Sequence, residues 1–294
     1  MAARFEKADD LFDGFDSKTV YQMVPVGERR GALRAISEAE EIEIAFDTPG
    51  IAKFGNKSFS PPSPLPFGDD FVRLQPNSEV RFELVGVRAG NTTLVIKNPK
   101  GKALATLLVS VKSQLGKTYA LCRLSDMRRP CPWAESDIRP MMPRVERTFL
   151  QQANVKLSEK RSQIFEINVN DRDLGDPLIP EQIIRPESTT LSHYILFKRS
   201  PIDAILVDFT IFFTWNLRQT KKDIVGQNFG QACFVEFQTS PFENALTTAH
   251  ELGHGLGLDH TGAHTLMAGD GVSRSSLLRQ FEIDTINQSG LQTP

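Results

Sequence analysis

Histidine is scarce in this chain, with five among 294 residues; cysteine and tyrosine number three each and tryptophan two. Three cysteines (Cys122, Cys131 and Cys233) make no disulfide framework and no paired Cys-x-x-Cys metal motif. A Cys122–Cys131 bridge in an oxidising compartment stays open, beside the simpler reading of small buried thiols. No basic block occurs and the formal net charge is −2, which argues against nucleic acid or an anionic membrane surface as partner. The longest apolar run, Ile202 to Trp215, is too short to span a bilayer and holds Asp203 and Asp208, so the chain is not expected to be membrane-spanning. The opening stretch MAARFEKADDLFDGF has no apolar core of signal-peptide length, so synthesis in the cytoplasm without a signal peptide is expected. What is plentiful is core material: 40% apolar residues, among them 20 phenylalanines, over a length that suggests about two domains.

Three of the five histidines fall within AHELGHGLGLDH, Ala249 to His260. On a helix, residues four apart share a face, so His250 and His254 present two imidazoles to one point. Glu251 lies about 100° further round, near that point without occupying it. This is the HExxH arrangement, in which two histidines bind zinc and the glutamate is the general base. A helix continued to residue 260 would carry the third histidine off that face. Gly257 tolerates the left-handed conformation that ends a helix and turns the chain back, which lets His260 reach the metal from another side. Three nitrogen ligands leave a fourth position for water, the mark of a catalytic rather than a structural zinc. Gly253, Gly255 and Gly257 cost the helix roughly 1 kcal/mol each relative to alanine, so packing or metal binding has to compensate.

These residues resemble a known family. HELGHGLGLDH fits the metzincin pattern H-E-x-x-H-x-x-G-x-x-H, and its wording is most similar to the matrixin branch. The resemblance implies a methionine turn beneath the metal, which Leu266-Met267 matches, and a closing helix, which LLRQFEIDTINQSG matches. It covers Ala249 to Gly290 closely and extends loosely back to about Lys117. It implies an α+β zincin-like catalytic domain with one catalytic Zn2+ on His250, His254 and His260. Many matrixins carry a second, histidine-held zinc. Here only His193 and His264 remain, so neither that zinc nor its calcium-bound companion loop is expected. NDRDLGDP, Asn170 to Pro177, lacks the twelve-residue calcium-loop pattern and reads as a solvated turn.

Before Lys112 the pattern is different. TVYQMVPV, EIEIAF, EVRFELVGV, TTLVIKN and ALATLLVSV read as strands, separated by turn signals and the proline-rich SPPSPLPFGDD. FELVGVRAGNTTLVIKNPKGKALATLLVSVK resembles the end of bacterial immunoglobulin-like domains. The expected fold class is therefore two domains: an all-β immunoglobulin-like sandwich and an α+β metzincin catalytic domain. The expected boundaries are an N-terminal arm at 1–17, the sandwich at 18–113 and the metallopeptidase domain at 114–294, with KSQLGK (112–117) as a linker. A helix is expected over about 137–153, and AILVDFTIFF reads as a strand buried on both faces. A chain of residues 115–294 is expected to fold, bind zinc and cleave short peptides alone.

The function these readings imply is a zinc-dependent endopeptidase that uses a zinc-activated water, with Glu251 as general base. Extended peptide would add as a strand along Ile224 to Phe229 (Ile224, Val225, Gly226 and Phe229), just before the zinc helix. The segment AGDGVS, with Ala268 and Gly269, would form a pocket wall, and His264 would border the site. Two rivals stay open: a zinc hydrolase of cell-wall peptides or small amides, and a non-catalytic docking protein. Partners are then a peptide or protein substrate and, if the chain is a leaderless exported effector or toxin, an inhibitor or immunity protein or a secretion apparatus.

Overall fold

The computed structural model describes residues 3–8, 14–62, 65, 67–181, 183–184, 189–190, 193–219, 222–262, 264–269 and 273–289. Two sheets occupy the first part of the chain. One has four strands in the order Ala3–Lys7, Arg29–Ser37, Ser78–Gly86, Ala52–Ser60. The other has six, in the order Phe15–Asp16, Tyr21–Pro25, Ala103–Lys112, Gly90–Lys97, Ile42–Phe46, Phe71–Leu74. Alternate residues of these strands are buried, as the pleat requires. Phe54, Phe82 and Leu84 from the first sheet join Ile44, Leu94 and Val109 from the second in one apolar core.

The third sheet frames the histidine motif. Its order is Val155–Glu159, Leu115–Asp126, Phe209–Thr214, Ala232–Glu236, Gly226–Phe229, and Phe165–Val169 also pairs with Leu115–Asp126. Phe209–Thr214 runs parallel to both its neighbours, and all six of its residues are buried. Gly226–Phe229 closes the sheet as an antiparallel end strand. No helix among the described residues is long and apolar enough to cross a membrane.

The expected fold class is not what the chain forms. Among the described residues strand makes up 43% and helix 20%, with the strands in three main sheets and no clear division into an immunoglobulin-like domain and an α+β metzincin domain. One compact unit comprises 1–115, 151–154 and 278–287; the other comprises 116–150, 155–277 and 288–294. The closing helix Gln280–Ser289, which the resemblance assigned to the catalytic half, therefore falls almost entirely with the first unit. Within that unit Asp16 accepts hydrogen bonds from Arg279 Nη1 at 3.0 Å and from the Gln280 amide at 3.1 Å. Ile283 and Ile286 of the helix are fully buried. The segment read as a linker is strand on both sides, since Ala103–Lys112 ends two residues before Leu115–Asp126 begins. Residues read as an N-terminal arm include Ala3–Lys7, paired with Arg29–Ser37.

Two local expectations also change. AILVDFTIFF is not one strand: Ile202–Ile205 is a helical turn after Pro201, and strand begins only at Phe209. Asp208 sets that start, because its carboxylate binds the Thr118 amide (2.7 Å) and Lys117 Nζ (3.0 Å). The helix expected over 137–153 is two, Glu135–Ile138 and Met142–Ala153, divided near Pro140.

Candidate metal centre

The motif lies on helix Pro241–Gly255. Ser240 caps it, its hydroxyl accepting from the Glu243 amide, and Pro241 takes the first-turn position where a missing N–H costs nothing. Asn244 to Gly253 are all buried, so the helix is a core element rather than a surface one. It ends in a Schellman turn: Gly257 has φ +89°, its amide binds His254 O at 2.9 Å, and the Leu258 amide binds Gly253 O at 3.0 Å. That turn delivers Leu258 O to His254 Nδ1 at 2.7 Å. Helix termination and ligand orientation are thus one feature.

His250 is oriented in the same manner by Leu266 O, 2.8 Å from its Nδ1. A carbonyl only accepts, so both rings carry their proton on Nδ1 and leave Nε2 bare. The Nε2 atoms of His250, His254 and His260 form a nearly equilateral triangle with edges of 3.1, 3.2 and 3.2 Å. Tetrahedral zinc with Zn–N bonds of about 2.0–2.1 Å has ligand–ligand edges of about 3.3 Å, so this donor set fits the metal in type, number and spacing. Burial, aided by the Arg274 guanidinium, pulls the His250 pKa down to about 3, and burial lowers His254 as well. Both rings are therefore neutral and competent as ligands at neutral pH.

Two glycines make room for functional side chains. A Cβ on Gly253 would fall 2.5 Å from Met267 Sδ, so the thioether lies against the helix between the first two histidines. Met267 is fully buried, and its carbonyl accepts from the Thr261 amide at 2.7 Å. A Cβ on Gly226 would fall 2.5 Å from Glu251 Oε1, so the bare backbone of the end strand receives the buried carboxyl. Gly255 passes under Phe209, where a Cβ would meet the ring at 2.7 Å. These contacts are the packing that offsets the poor helix propensity of the glycines.

A pocket opens over the triangle, lined among others by Gln219, Ile224, Gly226, Gln227, Asn228 and Arg274. Ile224 and Gly226 of the expected substrate edge thus reach it. Val225 and Phe229 do not: Val225 O accepts from the Glu236 amide, and Phe229 packs edge-on against Phe234 and the unit's core. His264 is exposed in left-handed backbone (φ 63°), held by Ser273 and Ser275, and is not among the pocket's lining residues. Ala268 is buried; Gly269 runs beside the His260 ring. Residues 270–272 of the expected pocket wall lie outside the described residues. Arg274 and Asn228 carry no signal in the sequence, since only the folding of their loops brings them to the histidines.

The other candidates have partners of their own. In the aspartate-rich turn, Asp173 pairs with Arg128 and Arg129, and Asp171 with Arg199. Cys122 and Cys233 are buried free thiols, and Cys131 Sγ donates to Phe213 O at 3.3 Å. Exposed His193 stands beside Phe197.

No family model matches the chain, and no curated protein matches it. Among solved structures it is similar to surface-layer protein SbsC: 16% identity and a TM-score of 0.24 against domains 1–6, over 38% of this chain and 13% of that one. Against domains 4 and 5 the values are 17% and 0.22, over 37% of this chain and 46% of that one. The chain therefore spans less than half the length of these proteins, and likeness this slight assigns it neither fold nor function.

Proposed function

We propose that this chain is a zinc-dependent endopeptidase that hydrolyses peptide bonds with Glu251 as general base. The observation that carries the reading is the triangle of Nε2 atoms beside a buried carboxyl: two of its nitrogens are held unprotonated by carbonyls behind them, so that their lone pairs converge with the third on one point. Zinc bound there would polarise a substrate carbonyl and lower the pKa of water toward about 7. His250, His254 and His260 would hold the metal, oriented from behind by Leu266 O and Leu258 O. Glu251 would take a proton from the attacking water and pass it to the departing amine. Met267 would form an apolar floor under the histidines. Among the described residues Gly226–Phe229 is an end strand whose main-chain groups would pair with an extended peptide, and Gly226 itself brings no side chain against the Glu251 carboxyl. The resemblance of HELGHGLGLDH to the metzincin motif makes the peptide bond the favoured target.

The test is proteome-wide cleavage profiling with the wild-type chain beside Glu251→Ala, with zinc content measured on both. One zinc per chain in both proteins, with cleavage products only from the wild type, is the expected result. A wild-type protein that binds no zinc, or a Glu251→Ala protein that cleaves equally well, would refute the proposal.

A further inference from the structure

We propose that Arg274 is the electrophilic donor of this centre, hydrogen-bonding the oxyanion that forms when water adds to the substrate carbonyl. This rests on the zinc-peptidase reading above and adds a residue that the sequence motif does not contain. Arg274 Nη2 stands 3.5 Å from His250 Nε2, close to the 3.1–3.2 Å that separates the imidazole nitrogens from one another. Its Nε donates to Ala268 O at 3.0 Å, so the planar guanidinium is tethered to the segment just after Met267, and the side chain lines the same pocket as the three histidines. None of the chain's three tyrosines is among the described residues that line this pocket.

Charge decides what such a group can do. A neutral substrate carbonyl brings little; the tetrahedral adduct brings a full charge. When the water oxygen bonds to the carbonyl carbon, the C=O π pair moves onto oxygen, and Arg274 donates an N–H to it without giving up its proton. When the adduct collapses, the pair returns, the C–N bond breaks and the amine leaves with the proton carried by Glu251. Interaction that is weak with substrate and strong with the adduct raises kcat rather than affinity.

The experiment compares wild type, Arg274→Gln and Arg274→Lys by three readouts. These are zinc content, affinity for a phosphinic peptide (tetrahedral and anionic), and affinity for the parent peptide measured in the Glu251→Gln background. Arg274→Gln should keep its zinc and its affinity for the parent peptide while binding the phosphinic peptide about 100-fold more weakly, the scale of one oxyanion donor. Arg274→Lys, which keeps the charge but not the fork, should recover part of that loss. Equal affinity of wild type and Arg274→Gln for the phosphinic peptide overturns the proposal. So does a parallel loss for both ligands, which would make Arg274 a substrate anchor. A zinc-free wild type overturns the peptidase reading with it, whereas zinc-loaded variants with undiminished phosphinate binding overturn the Arg274 role alone.

Discussion

Adding one methyl group, Gly253→Ala, tests whether the methionine turn and the metal helix are packed as a unit. Alanine is the better helix former by roughly 1 kcal/mol, so without tertiary contact the change would stabilise. Here the new Cβ would meet Met267 Sδ at 2.5 Å and Cε at 3.3 Å, and Met267 is fully buried, so its thioether cannot swing into solvent. Overpacking of this kind costs roughly 1–3 kcal/mol, which leaves a net loss of roughly 0–2 kcal/mol. The metal should feel it more than the fold does. A displaced Met267 moves its neighbour Leu266, whose carbonyl holds His250 Nδ1 at 2.8 Å, and loss of such a supporting bond weakens metal binding roughly 10–100-fold. Urea unfolding of the metal-free protein and zinc competition with a chromophoric chelator measure the two effects separately. Met267→Ala in the same chain should relieve the crowding, giving a coupling energy of about 0.5–3 kcal/mol in the double-mutant cycle. A Gly253→Ala protein that gains its helix-propensity stability and holds zinc as tightly as wild type would refute the packing argument.

Substituting His250, His254 or His260 by alanine should each lower zinc occupancy and abolish hydrolysis; a fully loaded, active His260→Ala protein would remove the third ligand. Gly226→Ala should keep zinc yet lower kcat, because its Cβ would come within 2.5 Å of Glu251 Oε1 and displace it, and unchanged kcat would show that the carboxyl can shift without loss. Met267→Leu roughly conserves volume and should cost under about 1.5 kcal/mol while leaving partial activity, as read by thermal unfolding and a peptide assay. In the first unit, burial alone would raise the Asp16 pKa, but the Gln280 and Lys18 amides and the Arg279 guanidinium outweigh it and hold the carboxyl below its ordinary value. Its contribution should therefore be present above the unfolded pKa of about 3.9 and be lost as pH falls through the lower folded value. Asp16→Ala should accordingly destabilise the chain at pH 7, and a denaturation series should show the gap to wild type narrowing in acid.

Much of the metal centre was legible because short-range geometry sets it. A four-residue helical spacing and one left-handed glycine suffice to converge three rings, and helix Pro241–Gly255 starts where Ser240-Pro241 says it should. Strands with regular alternation, such as Ile42–Phe46 and Ser78–Gly86, were equally legible. Arg29–Ser37 was not, because its Arg, Ala and Leu residues favour helix in isolation. Pairing with Ala3–Lys7 and Ser78–Gly86 overrides that preference, and Arg34 pairs with Glu6 and Glu79. Arg274 was invisible because its place depends on where a long loop closes. The expected two-domain division failed for a similar reason: nothing local in LLRQFEIDTINQSG reveals that Asp16, more than 260 positions earlier, receives its first turn. The expectation for a chain of residues 115–294 changes accordingly. Without Asp16 and the rest of the first unit, buried Ile283 and Ile286 lose their surroundings, and that fragment should melt lower than the whole chain and bind a hydrophobic dye.

The same discontinuity gives the protein a schedule. Residues 1–115 are synthesised before 278–287, yet both belong to one compact unit. His250, His254, His260, Glu251 and Met267 are all synthesised before that unit can be completed. Domains folding in the order of synthesis would each be finished in turn, whereas this unit gains its helical segment only after the intervening residues have been made. Loss of residues 278–287, by premature termination or by a single proteolytic cut, would therefore injure the unit that contains 1–115, far away in sequence.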